Sequence, residues 1–250
     1  MVLGNSDSGS DLGEKALSKV VEVGLASQLD EVGDIEVDIR TDPGKLVQGK
    51  LDSINISAKG LVIKQDLRLE TLEVSTDEVA INPLSAIFGN IELNHSTDAE
   101  ARIVLTEADI NRAFSSDFIQ EKLQGLTMSM EGHPVTVDIQ KATIMLPGEN
   151  KFVISADFLL KEQGEVKKLS ATAIPQIQEN GQQISLEILA AEGKGLTLEL
   201  VLAIFKQLTA SLDLRNLDIP GMSFQVRQLD AQEGRLVIDA MTQIEQVPSA

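Results

Sequence analysis

Cysteine, tryptophan and tyrosine are absent from the chain, and phenylalanine occurs only seven times in 250 residues. Without cysteine there is no disulfide, thiol nucleophile or thiolate ligand. The compartment stays open, because a chain of this length buries enough surface to fold without covalent staples. With so few aromatics the interior has to be aliphatic, a material that suits a packed core and an acyl-chain pocket equally. Positive charge is scarce as well. The 21 Lys and Arg face 39 Asp and Glu, a formal net charge of −18. Polyanions are bound by clustered Lys and Arg, so nucleic acid is excluded as a partner. The two histidines, His95 and His133, have no neighbours at metal-ligand spacing. No G-x-S-x-G or H-E-x-x-H occurs, and Gly193-Lys194-Gly195 lacks the spacing of a phosphate loop. The reading is of a non-enzyme with no catalytic residues, no metal and no cofactor. The opening MVLGNSDSGSDLGEK has no apolar h-region, and no apolar run reaches the roughly 20 residues of a bilayer span. A cytoplasmic chain or one peripheral to a membrane is expected, unless a leader was removed.

What is present is organised around GLTLELVLAIFKQLTASL, from Gly195 to Leu212. Leu196, Leu200, Ile204, Leu208 and Leu212 recur at i, i+4, with Leu198, Val201, Leu202 and Phe205 on the flanks. A helix this apolar predicts enclosure by other parts of the chain. The material for that enclosure is alternating strand. Residues 1–10 read as a flexible lead-in and 11–250 as one domain. Asp11 and Glu14 predict a capped helix continuing through Leu17, Val20, Val21 and Leu25 to about Leu29. Period-two stretches follow: Ile35 to Ile39, Ile54 to Ala58, and Leu61 to Leu69. The apolar phase then shifts at Leu72 and Val74, which predicts a bulge or bend near Glu70-Thr71. Leu84 to Phe88 reads as a helical turn, and Ile91, Leu93 and Ala101 to Leu105 as the next strands. TEADINRAFSSDFIQEKL, capped by Thr106, reads as one amphipathic helix. Strands from Val135 to Ile144, Phe152 to Leu160, 166–174 and 184–191 follow, the last two joined by Asn180-Gly181. A closing hairpin comes after the apolar helix, from Phe224 to Ala240. The class predicted is α+β, with antiparallel, meander-like pairing.

The run GKLDSINISAKGLVIKQDLRLETLEVSTDEVAINP, the later RIVLTEADINRAF and the ending LDLRNLDIPGMSFQVRQLDAQEGRLVIDA resemble the LmeA-like phospholipid-binding proteins over most of residues 12–243. The resemblance lies in pattern and order, with no invariant chemical signature. It implies kinship to tubular lipid-binding (TULIP/BPI-like) proteins, in which a long, strongly curved antiparallel sheet wraps a long apolar helix and an acyl chain lies in the groove. It carries no catalytic residues.

Phospholipid, or another acyl lipid, is therefore the expected partner. The candidate lining is Leu200, Ile204, Phe205 and Leu208 of the apolar helix, Phe114 and Phe118 of the amphipathic one, and Phe152, Ile154 and Phe158 of the sheet. Residues 40–68 carry six cations against three anions. Lys45, Lys50, Lys59 and Lys64 make this stretch the candidate docking face for peripheral contact with an anionic membrane. The alternative is a scaffold with a dry core that binds a protein partner. Oligomeric state is left open.

Overall fold

Nearly all the alternating stretches become strands, and they divide between two large antiparallel sheets and one two-stranded sheet. The structure, a computed structural model, describes residues 7–27, 29–31, 33–63, 67–82, 92–130, 133–211 and 222–245. Helix α1 (Asp7–Ala26) leads to β1 (Asp34–Arg40), the short helix α2 (Pro43–Leu46) and β2 (Lys50–Leu51). Strands β3 (Ser53–Ile63), β4 (Leu67–Thr76), β5 (Val79–Ala80) and β6 (Thr97–Thr106) come next, then helices α3 (Glu107–Phe114) and α4 (Asp117–Lys122). A run of five strands follows: β7 (Leu126–Met130), β8 (His133–Gly148), β9 (Lys151–Leu160), β10 (Glu165–Gln178) and β11 (Gln183–Glu192). Helix α5 (Leu198–Ser211) and the hairpin β12 (Met222–Gln232) and β13 (Arg235–Ile244) complete the order.

The five-stranded sheet is a pure meander, β11-β10-β9-β8-β7, whereas the six-stranded sheet runs β1-β3-β4-β6-β13-β12. In the second, the C-terminal hairpin returns to pair β13 with β6, setting Ala240 opposite Ala101. Directly opposed residues share a face, so register assigns the faces of this sheet. Val37, Ile56, Val74, Ala101, Ala240 and Val226 form one apolar row across it, while Glu36, Ser57, Glu73, Arg102, Asp239 and Gln228 form a polar row on the other side. The apolar face beneath α1 packs Val37, Ile39, Leu51, Val79 and Ile81 against Leu17, Val21 and Leu25.

The two sheets meet at their hairpin turns. Gly234 donates to the carbonyl of Leu146 at 2.9 Å and Asn150 to that of Ala231 at 3.1 Å. Gly181, at φ +88°, has the carbonyl oxygen of Val226 2.4 Å from where a Cβ would sit. No side chain fits between the β10–β11 turn and β12, and the positive φ also favours glycine.

Several local expectations are corrected. Helix α1 starts at Asp7, so part of the expected lead-in is helical and Asp11 is no cap. Glu14 instead accepts from the backbone N–H of Thr41 at 2.8 Å, tying the helix to the chain just after β1. The single helix expected over 106–123 breaks into α3 and α4, because the Ser116 hydroxyl caps a new start by accepting from Ile119 N at 3.4 Å. Strand β4 runs through Glu70-Thr71 with its β3 register unshifted, so no bulge lies there. Register shifts occur instead at Ile139/Lys141, Met145/Gly148, Thr172/Ala173 and Val226/Gln228. Strand β7 has no counterpart in the sequence reading. The helical turn expected at 84–88 and the strand start at Ile91 lie outside the described residues.

Candidate functional site

The short apolar helix begins where Thr197 caps it, its hydroxyl accepting from Leu200 N at 3.2 Å, after Gly195 has turned the chain at φ +71°. It spans 14 residues and lies against both outer strands, β7 and β11, of the five-stranded sheet. That sheet therefore curls around it. Leu200, Val201, Ile204 and Phe205 are buried against Val137, Ile139, Phe158, Leu160, Leu169 and Ala171. The enclosure is one-sided, however. Leu198 is 73% exposed and Leu202 52%, so the helix is apolar nearly all round but sheathed on its inner face only.

A second core adjoins the first. It contains Ile144, Leu146, Phe152, Ala231 and Leu236, with Ile110 and Phe114 of α3 packed on it. The structure thus divides the expected lining. Leu200, Ile204, Phe205 and Phe158 sit in the first core, and Phe152 and Phe114 in the second. Ile154 packs against both. The side chains of Phe118 and Leu208 lie outside the described part.

Register reveals residues that the sequence reading missed. Ala142 lies directly opposite Ala156, between the bulkier pairs Ile139 with Phe158 and Ile144 with Ile154. These two alanines, with Ile154, Leu186 and Ile188, are only partly buried on the inner face. Here two methyl side chains stand between larger ones. Leu186 and Ile188 were visible as alternation after Ile184, but the Ala142–Ala156 match exists only once β8 and β9 are in register.

Helix α3 is fixed over this junction by polar contacts. The side chain of Asn111 accepts from Ile144 N and donates to Ile144 O, both at 2.9 Å. Glu107 accepts from Leu146 N at 2.8 Å. Asp109, 3% exposed, accepts from the Thr106 hydroxyl at 2.6 Å and from Arg68 at 2.8 Å. Burial pushes its carboxyl upward, but the Thr106 hydroxyl and the Arg68 guanidinium outweigh burial and hold it below the usual range.

A concavity lined mostly by polar residues lies elsewhere. The six-stranded sheet curls into a half-barrel around a cavity of about 720 Å³, lined by side chains from all six strands. Part of its charge is internally balanced. Arg102 bonds Asp239 at 2.8 Å, and Arg227 lies 3.5 Å from Glu100. None of the expected lipid-lining residues whose side chains are described borders it. Of the expected docking lysines, Lys45 is paired with Asp52, Lys50 and Lys59 are exposed on β2 and β3, and Lys64 lies outside the described residues. His95 and His133 are both exposed. Among the described residues no group of three or more His, Cys, Asp or Glu is placed to hold a metal, and no helix is long and apolar enough to cross a membrane.

A family model described as LmeA-like phospholipid-binding matches residues 9–241. The chain belongs to that family. The match covers both sheets, α5 and the junction beneath α3, and the family is described by binding rather than by a reaction. None of the curated proteins matches the chain.

Proposed function

We propose that this LmeA-like chain holds a phospholipid or similar acyl lipid without chemical turnover, and carries it, with an acyl chain lying over the apolar saddle between α5 and α3. The observation that supports this is that Ile154 and Leu186 belong to both cores and are fully buried in neither. Beside them Ala142 and Ala156 present only methyl groups. Each acyl CH₂ removed from water contributes about 0.8 kcal/mol, so a chain seated there needs no polar anchor. The lining then comprises Ile154, Ala142, Ala156, Leu186 and Phe114, with Leu200, Ile204, Phe205, Phe152 and Phe158 as its supporting walls. Collecting the lipid requires peripheral contact with a bilayer, to which exposed Lys50 and Lys59 can contribute electrostatically.

Organic extraction of the purified protein followed by mass spectrometry tests the reading, which expects bound phospholipid. Ile204→Glu would remove lipid, but Ile204 is 4% exposed and the fold would go with it. Ala156→Leu is the informative variant: it adds bulk at a half-buried position, and a folded protein with less lipid is expected. Undiminished lipid would move the site elsewhere. The second reading, a dry scaffold that binds a protein, is favoured by the near-complete burial of Leu200, Ile204, Phe205 and Phe158, at 1–4% exposure. Lipid-free extracts would favour it.

A further inference from the structure

We propose that the outward face of α5 is the edge that enters an anionic bilayer surface, with Leu198 and Leu202 as the inserting side chains, Lys194 just before the helix and Lys206 one turn beyond Leu202. The proposal rests on the phospholipid-binding reading and names the partner that the same helix meets on its other side.

The helix carries two apolar faces where its fold needs one. Leu200, Val201, Ile204 and Phe205 complete the core at 2–6% exposure, while Leu198 and Leu202, one turn apart, stand 73% and 52% exposed. Scattered surface leucines are ordinary. This pair lies on one helical stripe, on a helix resting against edge strand β11, whose Leu189 is itself 49% exposed. The inner side of that helix walls the proposed lipid site, so an inserted α5 would set the saddle beside the membrane from which lipid is drawn.

Charge marks the same place. The chain as a whole is at −18, yet residues 192–211 are locally neutral, with Lys194 and Lys206 against Glu192 and Glu199. Lys194 and Lys206 are exposed, and lysine stems lie along apolar surface while their ammonium groups reach headgroup phosphates. Screening over about 8 Å at physiological salt confines the repulsion from distant carboxylates. The segment that presents apolar side chains to solvent is therefore also one where an acidic protein can approach anionic lipid. A helix held on its inner side by the sheet, and too short to cross a membrane, meets the bilayer lying in the interface plane.

The test uses the full chain and vesicles of phosphatidylcholine and phosphatidylglycerol in equal parts. Leu198→Glu/Leu202→Glu, at exposed positions, should keep the wild-type circular dichroism and lose vesicle co-sedimentation by at least about tenfold. Lys45→Glu/Lys50→Glu/Lys59→Glu should lose less. Vesicle binding unchanged in the leucine variant overturns the proposal, as does loss confined to the lysine variant. A wild-type dimer that the leucine substitutions dissociate would also overturn it, by making the partner a second copy. The vesicle measurement decides the matter whether or not lipid is extracted, so this proposal and the cargo reading fail separately.

Discussion

Asp109 is the residue at which electrostatics and architecture meet. At 3% exposure it closes the capping box of α3 with Thr106 and receives Arg68 from β4. Asp109→Asn keeps the shape and removes the charge. A loss of about 2 kcal/mol at neutral pH is expected, read as a lower urea midpoint at unchanged slope. The folded carboxyl titrates below its unfolded value of about 3.9, so its contribution is complete above that pH and fades as pH falls through the folded value. The gap between wild type and variant should therefore close under acid conditions. A gap that is constant with pH would show that the ion pair with Arg68 is not its source.

At the scale of the element, α3 acts as a clamp. Strand β8, of 16 residues, is about three times as long as the stretch that β7 covers: β7 pairs with residues 133–137, while β9 pairs along the other edge. The amide and carbonyl of Ile144 on the open edge are taken up by Asn111, and the amide of Leu146 by Glu107. Buried backbone groups left unpaired are costly. Asn111→Ala should lower stability by about 1–3 kcal/mol and speed hydrogen exchange at the Ile144 amide; unchanged exchange there would mean that water substitutes fully. The interruption of the amphipathic run at Ser115-Ser116 belongs to the same scale. Serine hydroxyls offer the backbone a local alternative to helix, and here that alternative creates the short α4. The amphipathic pattern ran straight through the break, and only the capping hydroxyl marked it.

At the scale of the whole molecule, an excess of 18 negative charges opposes compaction. Raising ionic strength from about 0.01 M to about 0.15 M shortens the screening length from about 30 Å to about 8 Å. The thermal midpoint should rise across that range as self-repulsion weakens. A falling midpoint would mean that specific ion pairs, such as Arg102 with Asp239, outweigh the net charge. Curvature is likewise a property of the whole. The six-stranded sheet curls around a polar cavity, and the five-stranded sheet around the inner face of α5.

Read alone, the sequence determined the aliphatic interior, the acidic surface, the strands of period two, the helix near residues 198–211 and the closing hairpin, because each follows from local composition or spacing. The resemblance to phospholipid-binding proteins was legible in the same way, from order and pattern. Tertiary structure decided which sheet receives α5, the return of β13 to β6, the exposure of Leu198 and Leu202, and the meeting of Ala142 with Ala156. Hydrophobic period tells an element that it must bury one face; what it is buried against depends on pairings between residues far apart in the chain, and those are chosen by the packing of all the elements together.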